Sequence, residues 1–180
     1  MQLDANGVPT ESVAWKKTTA APTAGRWMVG MSLADQSVTN RFSSAADTWL
    51  YVGSGANAAG NNGVDALDAA KVAAGGDLTS FAAVNFNFKS RWGYAGFVAA
   101  NQIFEIGGDA GTASVGGLSG QLCGVGGPCA NPPSVKNINA GIGLSTPRFL
   151  MGVVLESGRI WVAGGQGTSA PLATVESTVW

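Results

Sequence analysis

Three stretches of this chain can be laid over one another, so whatever it folds into must build the same local structure three times. Trp49-Leu50-Tyr51-Val52-Gly53-Ser54, Ile103-Phe104-Glu105-Ile106-Gly107-Gly108 and Ile160-Trp161-Val162-Ala163-Gly164-Gly165 each read as a short run of strand formers that stops at a glycine pair or at Gly-Ser. Their first glycines lie 54 and 57 residues apart. Upstream stand Arg26-Trp27-Met28-Val29-Gly30, Arg91-Trp92-Gly93-Tyr94-Ala95 and Arg148-Phe149-Leu150-Met151-Gly152. Each is an arginine, then an aromatic, then a small residue four places after the arginine. In the second and third copies the arginine leads the first glycine by 16 residues; in the first it leads by 27, which places an 11-residue insertion in the polar run 36–46. Downstream, Gly53 to Val64 and Gly164 to Val175 are both 11 residues, and each valine precedes an acid, Asp65 or Glu176. In the middle copy Gly107 to Val135 is 28, and the extra 17 residues hold both cysteines. Fixed spacings with insertions confined to Gly/Ser/Asn-rich stretches are what a strand-loop-strand repeat requires, because loops absorb length and ladders do not.

Each unit predicts a first strand (27–33, 92–99, 149–155), a hairpin turn such as Glu156-Ser157-Gly158-Arg159, and a second strand ending at glycine. A third strand is expected to begin near Val64, Val135 or Val175, with a weaker fourth after it. Ile160-Trp161-Val162-Ala163 is apolar on both faces, as suits a strand lying between neighbouring sheets. Composition agrees: 27 of 180 residues are glycine and 46% are hydrophobic, a mixture for many short strands with tight turns. A four-stranded sheet of this kind cannot cover its own two faces, so the units are expected to stack radially.

These residues resemble kelch repeats: Thr146-Pro147-Arg148, an apolar strand, Ser157-Gly158-Arg159-Ile160-Trp161-Val162, Gly164-Gly165, Thr174-Val175-Glu176 and Trp180. The third copy matches the family pattern well, the second moderately and the first loosely; Gly53-Ser54 replaces the double glycine there, and copies one and two lack the late tryptophan. The resemblance implies an all-β fold of about three four-stranded antiparallel propeller blades. As one segment over 1–180, it divides into 8–15 as the outer strand of a preceding blade, 24–88, 89–145 with the cysteine loop, and 146–180. Thr10-Glu11-Ser12-Val13-Ala14-Trp15 and Val175-Glu176-Ser177-Thr178-Val179-Trp180 share Glu, Ser and Trp, so the chain is expected to start and stop in outer parts of blades. Kelch-like rings resemble circles of about five to seven blades, so three would need completion by further blades of a longer chain, by a partner, or by a second copy giving six.

Chemistry in the sequence is sparse. Lys+Arg total 10 against 11 Asp+Glu, for a formal charge of −1, and charged residues make up 12% where about 25% is usual. That balance offers no footprint for nucleic acid or an anionic membrane. Histidine is absent, which removes the imidazole base of nucleophilic triads and the commonest zinc and copper ligand. No Gly-x-x-x-x-Gly-Lys-Ser/Thr or Gly-x-Ser-x-Gly occurs. Galactose oxidase-like enzymes have kelch-like blades, but their copper chemistry resembles a site built on two histidines.

The candidate ligand-binding residues are Arg26, Arg91 and Arg148, with Trp27 and Trp92 and, in the third copy, Phe149 after them. By resemblance the arginines open on one mouth of the central channel, where three guanidiniums would suit carboxylate or phosphate groups; alternatively each satisfies a neighbouring blade's carbonyls or acids. The aromatics either stack on sugars or pack between blades. Residues 36–46 and 111–133 are insertions that could carry specificity. Asp65 and Asp68 suit a solvated strand edge better than a calcium site, and no metal or cofactor is expected. Cys123 and Cys129 enclose Gly-Val-Gly-Gly-Pro, which can close into a disulfide ring in an oxidising compartment or stay as two thiols.

The functional expectation is a non-catalytic module that recognises a protein or surface glycan, extracellular or on a virion surface, as in an adhesin or phage tail. A structural subunit joined through its open blade faces is the alternative. An enzyme fragment of carbohydrate-active or oxidase type is the third.

Overall fold

The computed structural model describes residues 5–6, 20–23, 25–26, 29–35, 47–57, 66–84, 91–99, 101–109, 116–122, 135–137 and 143–179. The regular elements among them are all β-strands. The first sheet is a meander of β1 (Gly30–Ala34), β2 (Thr48–Gly53), β3 (Leu67–Val72) and β4 (Ala82–Val84). The second runs β5 (Ala95–Ala99), β6 (Gln102–Ile106), β7 (Gly117–Leu122) and β8 (Val135–Asn137). The third holds β9 (Gly152–Glu156), β10 (Arg159–Ala163) and β11 (Val175–Val179). All pairings between neighbours are antiparallel. The expected all-β architecture of three antiparallel sheets is therefore what the chain forms.

Pairing registers fix which residues of the three sheets are equivalent. Gly30 faces Gly53, Ala95 faces Ile106, and Gly152 faces Ala163. The partner of the glycine pairs Gly107-Gly108 and Gly164-Gly165 is thus Ser54-Gly55, one residue later than the identity match at Gly53-Ser54. Backbone angles agree: φ is +35° and +106° at Ser54 and Gly55, +67° and +94° at Gly107 and Gly108, and +63° and +93° at Gly164 and Gly165. The turn demands two successive positive φ values, which glycine reaches without cost and serine does not. The third strands begin at Leu67, Gly117 and Val175. Val64 lies outside the described residues, and Val135 opens the fourth strand of its sheet rather than the third. Part of the expected 111–133 loop is likewise strand β7, whose Gly117-Leu118-Ser119-Gly120 has little propensity of its own and is held by its ladder to β6.

Ser54 is fully buried, and its hydroxyl has no hydrogen-bond partner. Ser54→Gly restores the double glycine; relief of about 1–2 kcal/mol of left-handed strain and of the unpaired hydroxyl outweighs the lost contacts. We expect a melting temperature higher by about 2–4 °C for a gain of about 1 kcal/mol, read by thermal unfolding. A drop would show that residue 54 does not hold the position of Gly107 and Gly164.

The hairpin between β9 and β10 turns on Ser157 and Gly158, at φ +50° and +73°, the type I′ geometry that matches strand twist.

The sheets stack in chain order. One core joins the first sheet to the second through Trp49, Tyr51, Leu67, Ile103 and Leu122. Another joins the second to the third through Ile106, Ile160 and Val162, with Phe97, Met151 and Val153 against them. The middle sheet is covered on both sides; one face of the third sheet is left over, and on the far face of the first sheet Met31 and Leu33 are exposed while Val52, Asp68 and Ala70 are buried.

Candidate functional site: arginine staples and open sheet faces

Each predicted arginine reaches into its own sheet. Arg148 Nη1 donates to the carbonyls of Gly164 (2.9 Å) and Thr174 (3.1 Å). Arg91 Nη1 donates to Gly107 (2.7 Å) and Gly116 (3.0 Å). Arg26 Nη1 donates to Ser54 (3.4 Å) and Ala66 (2.9 Å). These are the same two places in every copy: the first residue of the positive-φ pair and the residue just before the third strand. The N–H groups of Ser54, Gly107 and Gly164 donate to the latter carbonyls as well, at 2.8, 3.2 and 3.1 Å. A planar guanidinium thus clamps the turn to the start of the next strand, a geometry an ammonium cannot copy.

Two copies add an acid to the clamp. Arg148 Nη2 donates to Glu176 Oε1 (2.5 Å) and Arg26 Nη2 pairs with Asp68 Oδ2; each acid is the second residue of its third strand. The same carboxylates take up the chain three residues before the arginine. Ser145 donates its N–H (2.6 Å) and hydroxyl (2.7 Å) to Glu176, while Thr23 donates its N–H (3.2 Å) and hydroxyl (2.8 Å) to Asp68. Burial pushes the Glu176 carboxyl up, but the Ser145 hydrogen bonds and the Arg148 guanidinium outweigh it and hold the group below the usual carboxylate value.

In the middle copy Leu118 stands at the acid's register position, opposite Glu105 on β6. Glu105, which the sequence reading left without a role, is itself buried and supplies the charge there. Burial pulls the Arg91 guanidinium below its ordinary value, and Glu105 opposes that pull. The same carboxylate meets the Tyr94 phenol, which burial and Glu105 together push well above its usual value. Tyr94 also donates to the Gly30 carbonyl (3.4 Å), tying the second sheet to the first.

The side chains of Arg26, Arg91 and Arg148 are buried, with guanidiniums directed at carbonyls and carboxylates of their own sheets. The arginines thus meet carbonyls and acids, but those of their own sheets and not those of a neighbouring blade as expected, because the turn and the start of the third strand lie within side-chain reach. Asp68 does not stand on the solvated strand edge expected for it: it is fully buried, because Arg26 and Thr23 engage its carboxylate. Trp92 and Phe149 meet edge-to-face at 5.0 Å between the second and third sheets. Trp27, Cys123, Cys129, Asp65, residues 36–46 and Trp180 lie outside the described residues. Between the second and third sheets a cleft of about 30 Å³ is lined by Ile106, Leu144, Ile160 and Val162 with Glu176 beside it. That is room for about two water molecules and far below the volume of a ligand pocket.

The open faces are the larger feature. On the third sheet Val154, Trp161, Val175 and Val179 share one face and are exposed, joined by Leu150 at its edge. On the first sheet the opposite side exposes Met31 and Leu33. Among the described residues, the charged side chains on the third sheet's open face are Glu156 and Arg159, which sit opposite each other in the ladder. The apolar two-sided run at β10 was visible in the sequence, and one of its sides is exposed, as expected of an unclosed stack.

No family model and no curated protein matches this sequence.

Proposed function

We propose that the chain is a kelch-like propeller segment acting as a non-catalytic binding and assembly module that recognises a protein or a surface glycan, in an extracellular or virion-surface setting of adhesin or phage-tail type. One observation supports this reading above the rest: three sheets stacked face to face, with the outermost faces apolar and exposed at Met31, Leu33, Val154 and Trp161. Contiguous apolar surface rimmed by polar residues is where proteins receive partners. The arginines do not enter the proposal as ligand-binding groups, since their side chains are buried and directed at groups of their own sheets, and no metal or cofactor enters it. Glycan recognition is assigned to the insertions, 36–46 and the segment around Cys123 and Cys129, which a rigid sheet stack would present.

Glycan-array binding of the purified chain and of a variant lacking 36–46 tests the recognition half. We expect binding by the first and its loss in the second, with the circular dichroism of β-structure kept. Binding by neither chain would overturn glycan recognition. The alternative, a structural subunit, is favoured by the backbone bonds that cross between sheets, from Gly55 N–H to the Arg91 carbonyl and from Gly108 N–H to the Arg148 carbonyl.

A further inference from the structure

Two sheet-to-sheet junctions lie within this chain, and they are built alike. Each uses a front face: Ser32, Tyr51 and Leu67 of the first sheet are buried under the second. Each uses a backbone bond from the second residue of the positive-φ pair to the carbonyl of the next sheet's arginine, at 2.8 Å from Gly55 to Arg91 and 3.0 Å from Gly108 to Arg148. Each also lays the third residue after that arginine against the preceding turn, Tyr94 beside Gly53 and Met151 beside Gly107.

The third sheet repeats the giving half of this junction. Register places Val154, Trp161 and Val175 where Ser32, Tyr51 and Leu67 stand, yet Val154 and Val175 are each 61% exposed and Trp161 is 42% exposed. Gly165 holds the place of Gly55 and Gly108, with its N–H making no bond among the described residues. The first sheet repeats the receiving half along its first strand, beside Val52, Asp68 and Ala70, which are already buried on the same face. Met31 and Leu33, 60% and 56% exposed, occupy the ladder positions of Gly96 and Val98, which in the second sheet pack towards the first. Val29 stands third after Arg26, as Tyr94 and Met151 do after theirs.

We propose that the front of the third sheet seats on the back of the first sheet of a second copy of this chain, with Gly165 N–H directed at the Arg26 carbonyl of that copy and Val29 of that copy over Gly164. A second copy is the occupant because one molecule offers both unmatched halves, and each is the complement of the other by the template of its own internal junctions. The two faces are largely apolar, their acids are matched, Glu156 standing opposite Arg159 and Asp68 paired with Arg26, and a net charge of −1 puts little repulsion between copies. Two such contacts about a two-fold axis close six sheets into a ring. This rests on the sheet-stacking part of the function proposed above and is independent of any ligand.

Light scattering on size-exclusion fractions reads the outcome. The wild-type chain is expected at twice 18.1 kDa, and Trp161→Glu and Leu33→Glu each at 18.1 kDa with unchanged circular dichroism. Both residues are exposed, so neither substitution disturbs a packed core. An equimolar mixture of the two variants retains one intact front and one intact back, and is expected to associate at reduced affinity. Wild-type protein at 18.1 kDa up to its solubility limit overturns the proposal. So does a Leu33→Glu variant that stays dimeric while Trp161→Glu does not, since that is front-to-front pairing, and so does a mixture that fails to associate. None of these results touches the internal stacking, which the comparison of Gly107 with Gly164 below tests separately.

Discussion

Replacing Arg148 by methionine is expected to cost about 3–5 kcal/mol, the range for removing one partner of a buried ion pair, and so to lower the melting temperature by about 6–20 °C at about 2–4 °C per kcal/mol. The Arg148 side chain is fully buried and makes four bonds to the end of its sheet: the carbonyls of Gly164 and Thr174, the Thr174 hydroxyl and Glu176. Methionine fills similar volume and replaces none of them. The Thr174 carbonyl keeps the Gly164 N–H and Glu176 keeps Ser145, but the Gly164 carbonyl loses the guanidinium that held it. Lysine should rescue only part of the loss, because a single ammonium cannot span two carbonyls and a carboxylate at once. The pH dependence gives a second reading. Glu176 has its pKa held down in the folded chain, so its contribution to stability is present above the unfolded carboxylate value and is lost as pH falls through the folded one. Without Arg148 the depression is smaller, and the gap in melting temperature between wild type and variant should narrow on going from neutral to acid pH. A variant that melts within 2 °C of wild type at neutral pH, as an order-of-magnitude threshold, would mean that the clamp is not what closes the sheet.

How far this clamp could be read beforehand follows from what each part leaves in a sequence. Repetition of an arginine 16 residues before a glycine pair in two copies is a direct trace of a side chain that must span a fixed ladder, and both distances are those the hydrogen bonds cross. In the first copy the bond to Ser54 crosses 28 residues, 12 more, because the insertion falls in the β1–β2 connection and leaves the ladder untouched. What the sequence could not carry was the identity of the turn residue. Matching glycine to glycine selects Gly53, whereas the backbone selects by φ and places Ser54 there. The alignment of Asp65 with Glu176 fails for a related reason. Asp65 lies at the same distance from Gly53 as Glu176 does from Gly164, but the connection before β3 is longer, and Asp68 is the residue that enters the ladder in the position of Glu176. Strand β7 was hidden because glycine-rich sequence has no strand propensity, and only its pairing to β6 reveals it. Whether the arginines faced a channel, a neighbouring blade or their own sheets was undecidable from spacing, since each arrangement needs the same residue at the same offset; the distances to carbonyl oxygens place the guanidiniums on their own sheets, which the sequence reading did not anticipate.

Substituting alanine at Gly107 should separate the second and third sheets, and the same change at Gly164 should not. Both glycines adopt nearly the same left-handed backbone, φ +67° and +63°, so both substitutions carry the same conformational cost of about 1–2 kcal/mol. Their surroundings differ. A Cβ on Gly107 would stand 2.5 Å from the Arg148 carbonyl oxygen and run into the Met151 methyl, whereas on Gly164 the nearest atom is the Leu172 carbonyl oxygen at 3.7 Å. Met151 can rotate away, but Arg148 O belongs to the backbone of the neighbouring sheet and is held by the bond from Gly108 N–H. Relief therefore means moving one sheet against the other, and overpacking of this kind adds about 1–3 kcal/mol. Thermal unfolding in dilute solution is expected to place Gly107→Ala well below Gly164→Ala, with the difference reporting the sheet-to-sheet junction alone. Equal losses at the two positions would remove the close approach on which the stacked arrangement depends. At concentrations where a second copy seats on the third sheet, Gly164 becomes the counterpart of Gly107 and its substitution should begin to cost association as well, so the separation between the two variants narrows as the protein is concentrated.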